Sequence, residues 1–334
     1  MKKLINNPQH VVDEMIEGYV KAYPEYIKQR NENKRSLVTS RQTPDNKVGV
    51  LIGGGSGHEP AFMGYIGDGF ADGVAVGNIF ASPPPDPILE TTKAIDKGTG
   101  VIYLYGNYAG DIMNFDMAAE LADLEEDIRV ETVLVTDDVA SVAKGGEDQR
   151  RGIAGGFFVF KAAGAAAAKG LPLSEVVRIA KKANSHTRTM GVALSPCSLP
   201  QTGEPSFELG ESEMEIGLGI HGEPGVERGK VQTANDVADR LLKDILHDMP
   251  LEQGERVAVL VNGLGSTSRM ELYLMFRRIE QQLNQKQITI HRSYVGDYIT
   301  SLEMGGCSLT LMKLDDELAD IVDYPADCPM FVQK

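Results

Sequence analysis

The sequence predicts an α/β protein of two domains. The first is a mostly parallel sheet with helices on both faces, and the second is a smaller mixed-sheet α/β domain. Three observations lead there. Short apolar runs of strand length alternate with stretches of helix length through the first half of the chain. The chain has 334 residues, ample for two cores. Near residues 184–190 the composition shifts and strand-like runs become denser, which sets the expected domains at 1–186 and 187–334, with the C-terminal tail able to pack back on the first.

Residues 8–26 read as an amphipathic helix with Val12, Met15, Ile16, Tyr19 and Val20 on one side. Residues 36–45 are polar and read as a loop. Strands are expected at 48–52, 73–76, 101–105 and 130–136. Between them lie helices at 86–96, where Pro87 suits a first turn, and at 112–126. Strands that alternate with helices in this way pair in parallel and are covered on both faces. The Ala- and Gly-rich stretch 154–170 reads as a tightly packed core helix, and 173–186 as a second helix. Further strands are expected at 189–200, 215–220, 257–261, 288–293 and 308–313, with helices at 233–247 and 268–282. No internal repeat is visible.

Formal charge is 33 minus 48, or -15, with no basic stripe. Direct nucleic-acid binding is therefore not expected, because phosphate contacts need clustered Lys and Arg. Cys197, Cys307 and Cys328 form no CxxC pair and read as buried thiols of a reducing compartment. The first residues lack a signal-peptide apolar core, and no run has the length of a membrane span. The expected location is the cytoplasm.

In open parallel sheets, ligands bind beyond the C-terminal ends of the strands. Three loops fall at such ends: residues 53–60, 78–85 and 107–111. The first, Gly-Gly-Gly-Ser-Gly-His-Glu-Pro, brings backbone N–H groups and a titratable ring into one turn. A purely structural turn needs only one or two glycines. His58 and His221 stand apart from the other histidines. His221 lies in Gly-Ile-His-Gly-Glu-Pro-Gly at 219–225, directly after an apolar run. His10, His247 and His291 sit in ordinary helix or strand contexts, and His186 follows a helix end. Asp111 opens a helix, where it could cap the end or serve as a general base for a substrate hydroxyl. Glu59 and Asp68 read as solvated.

The stretch 225–230 is one residue short of a phosphate-binding P-loop, and Val231 stands where Ser or Thr is needed. Gly263 and Gly265 lack the third glycine of a dinucleotide fingerprint. No aspartate cluster suggests bound magnesium nucleotide, and no residue set suggests zinc. No metal or cofactor is expected on this chain.

Taken together, residues 53–60, Asn78-Ile79-Phe80-Ala81-Ser82-Pro83, 107–111 with Asn114-Phe115-Asp116, and 219–225 resemble the K-subunit family of bacterial dihydroxyacetone kinases, in order and over essentially the whole chain. The resemblance implies that His221 binds dihydroxyacetone covalently as a hemiaminal. It implies that Asp111 is the base for the attacking hydroxyl, and that His58 hydrogen-bonds the substrate and assists proton movement. Gly55, Ser56, Gly57, Ser82 and Gly106 would line the substrate site. It further implies two α/β units, a homodimer, and a separate L subunit carrying nucleotide and magnesium as the phosphate shuttle, recharged from phosphoenolpyruvate. Many members have Lys where this chain has Gly106. Loss of that charge leaves room for a longer ketose such as erythrulose, or for backbone contacts alone. Some paralogues instead bind the ketone as co-regulators of transcription, with a transcription regulator as partner. The presence of both His58 and Asp111 favours the enzyme.

Overall fold

Two six-stranded sheets, each in its own unit, underlie the alternating pattern in the computed structural model, which describes residues 2–334. The first unit comprises the chain up to Val135 together with Val159–Lys182 and Asp320–Lys334; the second comprises Thr136–Phe158 and Ala183–Ala319.

The first unit opens with α1 (Val11–Ala22), β1 (Ile27–Gln29) and β2 (Ser36–Thr39). The run β3 (Gly49–Ser56), β4 (Gly73–Ile79), α2 (Pro85–Ile95), β5 (Val101–Gly106), α3 (Ala109–Glu126) and β6 (Val130–Val135) follows. Strand order is β1-β2-β4-β3-β5-β6. β4, β3, β5 and β6 run parallel, and β1 and β2 form an antiparallel edge. Val50, Leu51 and Ile52 are buried without alternation, as a strand covered on both faces requires. α2 starts at a proline, whose fixed φ suits the first helical position. One side of the sheet packs Leu51, Tyr103 and Tyr105 against Ile88 of α2 and Phe115, Ala118 and Ala122 of α3. The Phe115 and Tyr105 rings stack at 4.1 Å.

Residues 36–39 correct the expected loop. They form strand β2, paired between β1 and β4, with Ser36, Leu37 and Val38 buried. The polarity that suggested a loop is internal: Ser36 Oγ pairs with Thr91 Oγ1 at 2.8 Å. β1 was likewise not legible.

α4 (Gly156–Ala168) and α5 (Leu173–Ser185) follow. The small residues of α4 serve close packing: a Cβ on Gly164 would stand 2.4 Å from the Phe70 Cα, and Ala162, Ala163, Ala165 and Ala166 are fully buried.

The second unit contains β7 (Thr187–Ser195), β8 (Glu213–Ile216), β9 (Glu227–Lys230), α6 (Ala234–Asp248), β10 (Arg256–Gly263), α7 (Arg269–Gln285), β11 (Thr289–Gly296) and β12 (Gly305–Leu314). Its order is β11-β10-β12-β7-β8-β9, and only β10 and β11 pair in parallel. Leu241, Leu242 and Ile245 of α6 and Leu272, Ile279 and Leu283 of α7 share a core with β10 and β12. α7 begins with a capping box between Ser268 and Glu271. α8 (Asp316–Asp323), β13 (Ala326–Cys328) and β14 (Phe331–Gln333) end the chain, with both strands in the first unit.

Arg150 is fully buried in the second unit and bridges both oxygens of Asp248, at 2.9 and 2.5 Å. Arg188 Nε donates to the same carboxylate at 2.5 Å. Asp248→Ala is expected to cost about 3–5 kcal/mol, because it strands a buried guanidinium. Asp316→Ala, which removes a fully exposed partner of Arg256, should leave the unfolding midpoint nearly unchanged. Urea denaturation of the two variants checks the contrast.

All three cysteines are buried free thiols. Among the described residues, no helix is long and apolar enough to cross a membrane.

Candidate active site

In the first unit, three loops leave the C-terminal ends of adjacent parallel strands and touch. The end of β3 lies against the loop after β4: Phe80 N–H donates to Ser56 O at 3.0 Å, and Ser56 Oγ donates to Gly77 O at 2.8 Å. A Cβ on Gly55 would stand 2.7 Å from Ala81 N, so only glycine permits this approach. The loop after β4 in turn meets α3, where Asn114 Nδ2 donates to Pro83 O at 2.9 Å. Ser82 Cβ faces Gly110 within 3.6 Å of where a side chain there would begin.

His58 is buried, and its ring stacks on Phe80 at 5.1 Å. Phe80 adopts φ +53, a left-handed conformation that disfavours bulky residues. Strain of this kind persists only where surroundings enforce it, and it concentrates at functional sites. Here the ring stack and the bond to Ser56 O hold it. Glu59 departs from its expectation as a solvated group. It is half-buried, both its oxygens accept the Gly57 N–H at 3.1–3.2 Å, and burial pushes its carboxyl up. Asp68 is 70% exposed and pairs with Arg41.

Asp111 lies in the first turn of α3, half-buried. The helix N-cap is Tyr108, so a capping role for Asp111 is excluded. The N-terminal end of a helix favours a negative charge at this position. Gly106 ends β5, and its carbonyl accepts from Tyr108 N–H at 2.8 Å. His58, Ser82, Gly106 and Asp111 therefore share one end of one sheet.

His221 belongs to the second unit, in the turn between β8 and β9. Its Nδ1 lies 2.9 Å from Glu223 Oε1, while its backbone N–H donates to Glu223 Oε2 at 2.9 Å. One carboxylate thus holds both the ring and the chain that carries it. A Cβ on Gly219 would stand 2.2 Å from Glu223 Oε2, so the glycine makes room for this clasp. Burial pushes the Glu223 carboxyl up, but the hydrogen bond and charge of His221 outweigh it and hold Glu223 down to about 2. Below the turn, Arg151 donates to Asp138 at 2.8 Å and to Gly217 O at 3.2 Å. Ser301 Oγ donates to Ile220 O.

Glu223, Arg151 and Phe80 were not picked out from sequence. Glu223 carried a signal, since it lies two residues beyond His221 within the same glycine-bounded motif. Arg151, distant in sequence, carried none. Nothing in sequence marks a phenylalanine for left-handed backbone. A cavity of about 530 Å³ in the first unit lies near the starts of β3 and β4, away from these loops. Of its lining cations, Arg41 pairs with Asp68 and Asp327, and Lys47 with Asp72.

The Dak1 domain matches residues 17–330. The PTS-dependent dihydroxyacetone kinase 2, dihydroxyacetone-binding subunit DhaK, of Listeria innocua is 50% identical over 331 residues, 99% of each chain. D-erythrulose kinase of Mycolicibacterium smegmatis is 45% identical over 99% of this chain and 56% of its own length. Among solved structures, the dihydroxyacetone kinase operon co-activator Dha-DhaQ superposes with a TM-score of 0.89 at 30% identity, covering 96% of this chain and 98% of its own.

Proposed function

This chain belongs to the Dak1 domain family, and on that premise we propose that it is the dihydroxyacetone-binding subunit of a phosphoenolpyruvate-dependent dihydroxyacetone kinase. The observation that carries the reading is the clasp of His221 by Glu223. With Nδ1 engaged by the carboxylate, Nε2 is the nitrogen that adds to the ketone carbon. The C–N bond forms as the carbonyl π pair moves to oxygen, which takes up a proton to become the hemiaminal hydroxyl. The ring becomes an imidazolium, and the ionised Glu223 beside Nδ1–H balances that charge. Capture requires an electrophilic carbon, so glycerol is rejected.

The captured substrate keeps two terminal hydroxyls. Asp111 accepts the proton of one as its oxygen attacks the phosphoryl group carried by the L subunit. His58 hydrogen-bonds the substrate and assists proton movement. Gly55, Ser56, Gly57, Ser82 and Gly106 line the site. Transfer of this kind depends chiefly on positioning and charge stabilisation. Nucleotide and magnesium belong to the L subunit.

Two observations favour neighbouring readings. The erythrulose kinase relative, with Gly106 leaving space, favours a four-carbon ketose as second substrate. The co-activator likeness favours a ketose sensor that partners a transcription regulator. A sensor has less need of a base such as Asp111. The test is turnover: dihydroxyacetone phosphate should form when L subunit, nucleoside triphosphate and Mg²⁺ are added, and not with nucleotide and Mg²⁺ alone. Ketone capture without turnover in the presence of L would instead support the sensor. Faster turnover of erythrulose would reassign the substrate.

A further inference from the structure

α3 carries more than Asp111. Residues 109–127 hold seven carboxylates, at Asp111, Asp116, Glu120, Asp123, Glu125, Glu126 and Asp127, and no lysine or arginine. Glu126 pairs with Lys93 of α2; the outward face bears Asp116, Glu120 and Asp123, all exposed. Interleaved on that face are Met113, Met117 and Leu124, which are 63%, 49% and 80% exposed. Spacings of four and seven place them in one stripe. The helix already buries Phe115, Ala118 and Ala122 against the sheet, so the outward stripe has no task in the core. An apolar stripe with a charged rim marks an interaction surface, and exposed methionines adapt well to a partner.

The stripe begins within the same helical turn as Asp111. In the reading above, on which this inference rests, the phosphoryl group reaches that turn on another chain. That chain must cover the N-terminal end of α3 to bring phosphorus within bonding distance. An acidic helix disfavours a free polyphosphate and favours a donor whose own cations face it. We propose that the outward face of α3 is the docking surface for the phosphoryl-carrying subunit. Met113 and Met117 form its apolar centre, and Asp116, Glu120 and Asp123 meet lysines and arginines of that partner.

The test uses the full chain and the L subunit loaded with nucleoside triphosphate and Mg²⁺, with association measured by calorimetry and stopped flow. Met113→Asp/Met117→Asp should weaken association by about 30-fold or more while leaving ketone capture by the chain unchanged. Met113→Leu/Met117→Leu should retain it. Asp116→Lys/Glu120→Lys should slow association about 10-fold and flatten its salt dependence. Native-like affinity in the aspartate pair overturns the surface, as does absence of association by the native chain. A shift of the chain from dimer to monomer in that pair, with L still bound, also overturns it and assigns the face to a second copy. Association that depends on the face but yields no phosphorylated ketone upholds the surface and overturns the kinase reading. Native turnover unimpaired in the aspartate pair does the reverse.

Discussion

His221→Ala is expected to abolish covalent capture of dihydroxyacetone. With carbonyl-labelled ketone, the native chain should move the ¹³C resonance from the ketone region into the saturated-carbon region, and the variant should leave it unshifted. Turnover with the L subunit should fall at least ~10²-fold in kcat/KM, because capture turns a freely tumbling three-carbon ketone into a fixed reactant. Weak residual turnover is expected from hydrogen bonds that still hold the substrate. The substitution removes a half-buried ring and spares the turn, whose bond from Gly222 N–H to Gly219 O is made by backbone. A resonance that still moves in the variant would show that another group forms the adduct.

Asp111→Ala separates capture from transfer. The adduct signal should remain, while phosphorylation with the L subunit should fall about 10²- to 10⁴-fold, the range for loss of a general base. Asp111 is not the helix cap, and a charge in the first turn contributes about 0.3–1 kcal/mol. The variant should therefore fold, and lost activity will report chemistry. Near-normal turnover would make the assignment of Asp111 as base wrong. Loss of both adduct and turnover would recast it as a substrate-binding group.

The legible parts of this protein were those written in local pattern. Continuous apolar runs marked β3 and β5, because a strand covered on both faces has no polar alternation to interrupt it. Proline near the start of α2 marked a helix start by backbone chemistry that operates over a few residues. The loop at 53–60 was legible because glycine at such a density serves close approach, and the contact of Gly55 with Ala81 is such an approach. The short strand β2 was not legible. Its Ser36 finds a buried partner 55 residues away, and its polarity alone resembles a loop.

By itself, the sequence determined the α/β class, the order of the main elements, the family, and the candidate residues His58, Asp111 and His221. Each is carried by neighbours in the chain or by motif spacing. The tertiary structure alone decided that residues 136–158 lie in the second unit. It also decided that Arg150 is buried on Asp248 almost a hundred residues away, that Phe80 is held left-handed under His58, and that Arg151 supports the His221 turn. Such features depend on which distant groups become neighbours when water is excluded. A buried ion pair or a strained backbone conformation is tolerable only where its partner is present, and no local pattern records who that partner is.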